Sequence, residues 1–224
     1  MIPDRFGKQA GSCRVAGVAF AAGLVVAACG PTRGSHATHA GFYPGHVRSS
    51  RCASHWYTGS DSTARFSCSA DGYRIAFRKS GQETSRTVIE RASRVRVDAS
   101  LRAKPQPRAH PLLDPGVGCW IDNDHGWIAE LGTRSAFSIA EFGSAHALAT
   151  GADTVVRDLS EWNALSLECA ATDGGVDLTL KVNGKPVAHA RARTSRVRFD
   201  RFGIVAASEA GATLEVRRIS AQAR

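Results

Sequence analysis

The chain has 224 residues, of which 22% are charged and 7% aromatic, with a formal net charge of +9. Such a composition excludes a disordered chain. The arginines are scattered along the chain rather than gathered into one stripe, so nucleic acid is excluded as the expected partner.

Residues 1–28 have the three parts of an export signal. Arg5, Lys8 and Arg14 against Asp4 give the leader a charge of +2, leaving +7 for the rest. An uncharged run then extends from Val15 to Ala28. It is shorter than the roughly 20 apolar residues that a membrane span needs. The run ends in Val26-Ala27-Ala28-Cys29, followed by Gly30, which resembles the bacterial lipobox. The resemblance implies cleavage before Cys29 and a diacylglyceryl group on its thiol. The expected location is the extracytoplasmic face of the cell membrane, with the membrane as partner through that lipid. Residues 29–53 read as a flexible tether, with Gly30, Pro31, Gly34, Gly41, Pro44 and Gly45 among polar residues. His36, His39 and His46 lie in it without an acidic or cysteine partner.

Cys13 leaves with the leader and Cys29 carries the lipid. Cys52, Cys68, Cys119 and Cys169 remain, an even set that favours disulfides in an exported chain. Three pairings are open, and Cys52–Cys68 with Cys119–Cys169 is favoured. The first would be local. The second would join two core strands in which each cysteine is in phase with apolar neighbours.

Residues 54–224 read as one all-β domain, a two-sheet antiparallel jelly-roll sandwich. Period-2 alternation predicts strands at 74–78, 94–101, 116–121, 126–131 and 136–142. A Pro-rich link falls between the second and third of these, and 122–125 forms a turn. Residues 143–160 read as an irregular crossing segment. Further strands are predicted at 162–170, 176–182, 185–190, 201–207 and 213–220. Asn183-Gly184 sits between two of them as a hairpin turn. One short helix is predicted at 84–91. Strands without helical alternation indicate a sandwich or jelly roll.

The motif order is Gly116-Val117-Gly118-Cys119, Gly126-Trp127-Ile128-Ala129, Phe137-Ser138-Ile139, Trp162-Asn163, Val182-Asn183-Gly184 and Phe202-Gly203-Ile204. This order resembles the concanavalin A-like lectin/glucanase superfamily. Within it, the chain is similar to laminin-G-like and 3-keto-disaccharide hydrolase-like domains. The resemblance implies glycan binding on the concave face of one sheet, and in some members calcium. The glucanase strand Glu-x-Asp-x-x-Glu does not occur here, and each glutamate is isolated in sequence.

The candidate ligand-binding residues are Trp120, Trp127, Asp122 and Asp124. Trp120 is out of phase with Val117, Cys119 and Ile121, so it is expected on the face opposite the core. Trp162 is a third possible sugar platform. Asp122, Asn123 and Asp124 form the one candidate calcium cluster, although a turn needs the same residue types; otherwise no cofactor is expected. The densest basic run is Arg191, Arg193, Arg196, Arg198 and Arg201. The expected function is a non-catalytic binding module for an envelope glycan or a partner protein. The alternatives are a glycoside-active enzyme of the keto-sugar hydrolase kind and a structural envelope protein.

Overall fold

The computed structural model describes residues 58–104, 113–195 and 197–224, together with Trp56 and the backbone of 38–39 and 46–48. The leader 1–28, Cys29, Cys52 and residues 105–112, most of the Pro-rich link that runs through Pro115, lie outside the described residues.

Among the described residues sixteen strands follow in chain order. They are β1 (Thr38–His39), β2 (His46–Arg48), β3 (Gly59–Ser60), β4 (Ala64–Ser69), β5 (Gly72–Phe77) and β6 (Gly81–Ala92). Next come β7 (Arg94–Lys104), β8 (Leu113–Trp120), β9 (Gly126–Leu131), β10 (Ala136–Glu141) and β11 (Ala147–Ala152). The last five are β12 (Asn163–Thr172), β13 (Gly175–Val182), β14 (Lys185–Arg193), β15 (Phe199–Ser208) and β16 (Thr213–Ala223). One sheet has seven strands in the order β1-β6-β15-β8-β9-β10-β11. The other has nine, in the order β14-β13-β12-β7-β16-β5-β4-β3, with β2 also on β16. All pairings are antiparallel except β1 with β6. No helix occurs among the described residues. The expected two-sheet antiparallel sandwich is therefore the observed architecture.

Alternation sets which side chains enter the core. Along β7, Val95, Val97, Ala99 and Leu101 are buried, while Arg94 and Arg96 stand in solvent. Along β12, Leu165, Leu167 and Cys169 are buried in register with Ala99, Val97 and Val95. Leu178, Leu180 and Val182 of β13 continue these rows. Each Leu or Val so placed contributes roughly 1.5–3 kcal/mol. Val117, Cys119, Trp127, Ala129, Phe202 and Ile204 face them from the seven-stranded sheet. Cys119 and Cys169 join the two sheets by a disulfide across this core, as their phase predicted. Cys68 is also disulfide-bonded; its expected partner, Cys52, lies outside the described residues.

The Asn183-Gly184 hairpin is present, with φ of 49° and 84°, the twin positive values that such a turn requires. Asn183 has a second role. Its Nδ2 donates to Val155 O at 2.7 Å and to Asn163 Oδ1 at 3.0 Å. Asn163 is buried and its Nδ2 reaches the Arg157, Asp158 and Glu161 carbonyls. The pair thereby ties the irregular stretch 153–161 to the end of the nine-stranded sheet.

Three expectations need correction. Residues 84–91 form part of β6, not a helix. The inward positions of β6 begin with Glu83, Ser85 and Thr87 and turn apolar only at Ile89, so the period of two carries little apolar signal, while Thr84, Thr87, Val88 and Ile89 favour extended backbone. Within 143–160, Ala147–Ala152 forms β11 at a sheet edge. That strand is almost wholly exposed, which leaves it no alternation to read. Finally, Pro115, read as part of the Pro-rich link, lies in β8. β1 and β2 fall within residues 29–53 and pair with β6 and β16.

Candidate functional site

The outer face of the seven-stranded sheet is organised in rows set by strand register. Thr84, Val205, Gly116, Glu130, Ser138 and Thr150 form one row across five adjacent strand pairs. In the next row Gln82 and Asp114 flank Ala207. On the other side run Arg86, Gly203, Gly118, Ile128 and Ala140. Side chains close over the glycines in the middle of this face: Glu130 and Val205 over Gly116, and the Trp120 indole over Gly118. The face has polar groups at one end and a cation–aromatic stack at the other.

The polar end holds two carboxyls. Burial, and then repulsion from Asp114, push the Glu130 carboxyl up to about 8, although the Gln82 side chain hydrogen-bonds to it and works the other way. Burial also raises Asp114. One Glu130 oxygen, Oε1, is sealed from solvent with no hydrogen-bond partner. At neutral pH Glu130 is thus an uncharged acid that can donate as well as accept a hydrogen bond. Asp114 and Glu130 come from different strands, and their sequence spacing gives no sign that they meet.

At the other end, Trp120 occupies the face opposite the core, as its phase predicted. It is completely buried nonetheless. The indole lies over Gly118 and Gly126, where an added Cβ would approach it to 2.5 and 2.3 Å. Arg86 stacks on the ring with its guanidinium carbon 4.8 Å from the centroid, and Phe142 meets it edge-on at 5.7 Å. Arg86 and Phe142 cap the indole, so it offers no open stacking platform. Trp127 faces the core instead, 2% exposed and edge-on to Phe199 at 6.0 Å. Neither candidate tryptophan presents a ring to solvent. Trp162 is half-buried on the outer face of the other sheet, between Arg102 and Arg217. Trp56 packs on Tyr73 and Phe202.

The Asp122–His125 segment joins β8 to β9. Asp122 Oδ1 accepts the N–H groups of Asp124 and His125 at 2.8 and 2.7 Å, and the carboxylate meets His125 Nδ1 at 2.9 Å. Burial opposes the Asp122 charge, but these backbone and imidazole bonds outweigh it and hold the carboxyl below its usual range. Its hydrogen bond to Asp122, and then the charge of that group, raise His125. Arg86 donates to Asn123 O and secures the turn against the sheet. The Asp122 carboxylate is engaged by its own turn. Among the described residues no three His, Cys, Asp or Glu side chains gather as metal ligands. The basic run is divided between surfaces. Arg191 pairs with Asp177 on β13, Arg201 binds Asp200 on the seven-stranded sheet, and Arg196 lies outside the described residues.

No protein-family model matches the chain, and no curated protein matches it. Solved structures do. A carbohydrate-binding module, CBM66 from Bacillus subtilis, superposes with a TM-score of 0.51 at 13% identity over 80% of this chain and 96% of that one. The carbohydrate recognition domain of Emp46p, in a potassium-bound form, gives 0.52 at 10% identity over 71% and 86%. A sialidase gives 0.55 at 12% identity over 75% of this chain, which spans only 16% of the sialidase. At such identities the likeness is one of fold: the chain is a concanavalin A-like, galectin-like jelly roll.

Proposed function

We propose that this concanavalin A-like sandwich is a non-catalytic glycan-binding module, held on the extracytoplasmic face of the cell membrane by lipid on Cys29. The observation that carries the binding half is the polar cluster on the outer face of the seven-stranded sheet. Register places Gln82, Asp114, Glu130 and Ser138 in adjacent rows there, with donors and acceptors among them. Glu130, raised to about 8 by burial, adds no charge to this face at neutral pH. Sugar hydroxyls need both donors and acceptors, and a protonated Glu130 avoids the desolvation cost that its ionised form would impose. The expected ligand is therefore an uncharged stretch of envelope glycan. The carbohydrate-binding neighbours support the same ligand class. Asp122 and Asp124, which lie beyond the capped Trp120, would belong to the rim of this site.

The test is binding of the purified full-length chain, in detergent, to an array of neutral glycans, with and without EDTA. We expect saturable binding to one glycan class, weakened about tenfold in the Gln82→Ala/Ser138→Ala double variant through loss of two hydrogen bonds. No binding by the wild type would leave a partner protein as the better ligand. The anchor is tested by labelling cells with a fatty-acid analogue. Label should enter the wild type and not Cys29→Ser, and equal labelling of both would remove the anchor.

The paired carboxyls favour a second reading, glycoside hydrolysis with Glu130 as proton donor. Release of reducing sugar from the bound glycan, abolished in Glu130→Gln, would establish it.

A further inference from the structure

On the outer face of the nine-stranded sheet several charges pair one to one. Arg94 meets Glu168 at 3.3 Å, Arg96 meets Asp98 at 3.0 Å and Arg191 meets Asp177 at 3.7 Å. A pocket of about 230 Å³ lies where β5, β16 and β7 adjoin. Its charged lining is Arg74, Arg102, Lys104 and Arg217 against Glu215 and Asp71. Arg74 and Arg102 share the single carboxylate of Glu215, at 2.8 and 2.6 Å. Burial opposes the charge of Glu215, but the two guanidiniums outweigh that and hold the carboxyl below its usual range. Among the described residues, no carboxylate lies within salt-bridge distance of Lys104 or Arg217. Arg217 Nε donates to the Asp71 carbonyl at 3.3 Å, which leaves its two terminal nitrogens uncommitted.

Trp162 explains how these cations are held. The guanidinium carbons of Arg102 and Arg217 lie 4.7 and 4.3 Å from its ring centroid. Stacking engages the flat face of a guanidinium and leaves its N–H edge free. Trp162 thus acts as a positioning residue for two arginines, not as a sugar platform. Four cations against two carboxylates, one of them already bridged by two arginines, leave a pocket with surplus positive charge and unused donors.

We propose that this pocket is an anion site, separate from the polar cluster on the opposite sheet, that takes a phosphate group. Guanidinium edges and an ammonium converging from three strands suit a tetrahedral oxyanion with several acceptor oxygens. The phosphate is carried by a phosphodiester of a lipid headgroup or envelope polymer, or is free in solution.

The experiment is calorimetric titration of the full-length chain in detergent at low ionic strength. The two probes are inorganic phosphate and glycerophosphoglycerol, the soluble headgroup of phosphatidylglycerol. Saturable binding of at least one probe is expected. It should weaken about tenfold or more in Lys104→Gln/Arg217→Gln, because charge-assisted bonds are lost. It should be unchanged in Arg65→Gln, which removes an exposed charge that does not line the pocket. Tighter binding of the diester assigns the site to a headgroup or polymer phosphodiester, and tighter binding of inorganic phosphate assigns it to the free ion. Trp162→Leu should weaken the same probe while neutral-glycan binding persists. No saturable binding of either probe, or equal binding by the double variant, would overturn the proposal.

Discussion

Replacing Cys119 and Cys169 together by alanine is expected to lower stability by about 4 kcal/mol, on the chain-entropy account for a loop of this size. The two cysteines are 50 residues apart in sequence. One lies on β8 and the other on β12, so the bridge spans the two sheets. Both are fully buried among apolar side chains. Cutting it frees a long loop in the unfolded chain and leaves two small voids where the sulfurs were. Stability of that order corresponds to a fall in Tm of roughly 10 °C for a domain of this length. Thermal unfolding of the double variant beside the oxidised wild type measures it. A fall of less than about 3 °C would mean that sheet packing alone holds the sandwich closed.

Glu130 should make the protein less stable as pH rises. Its carboxyl ionises near 4.5 when unfolded and near 8 when folded. Between those values the folded chain keeps a proton that the unfolded chain has lost. Stability is therefore greatest at the acid end of that window and falls as pH rises through about 8. Glu83, an inward residue of β6 raised to about 7 by burial and by the charge of Asp61, acts in the same direction. Glu130→Gln keeps the shape and removes the titration. The variant should stay close to the wild type at pH 5 and exceed it at pH 9 by about 4 kcal/mol, or about 10 °C in Tm. Asp114→Asn removes a repulsion and should give part of the same gain. Parallel pH–Tm curves for wild type and Glu130→Gln would contradict the protonated state assigned to this carboxyl.

Much of the sandwich can be read in the residues themselves. The rows at Val95–Leu101, Leu165–Cys169 and Val176–Val182 alternate cleanly, because each has one face on the core and one in water. Asn183-Gly184 announces its turn by residue type. Cys119 and Cys169 reveal their pairing through phase. β6 escapes notice because Glu83, Ser85 and Thr87 take its inward positions, and β11 because it buries nothing. The polar cluster on the seven-stranded sheet is harder still. Gln82, Asp114 and Glu130 lie on three strands, and only the registers of β6, β15, β8 and β9 place them on one surface. Trp120 shows the limit well. Its face follows from alternation, but the residues that cap it, Arg86 and Phe142, arrive from distant parts of the chain. The phosphate pocket has the same origin: its cations come from β5, β7 and β16, and the tryptophan that orders two of them precedes β12.

The most direct test of the glycan-binding account is to titrate the isotope-labelled protein with the best neutral glycan and follow backbone amide shifts. The account predicts that the largest shifts fall on the outer face of the seven-stranded sheet, at Thr84, Gly116, Glu130 and Ser138, with little change at Arg74, Arg102 and Arg217. Shifts confined to the nine-stranded sheet, or none at saturating glycan, would contradict it.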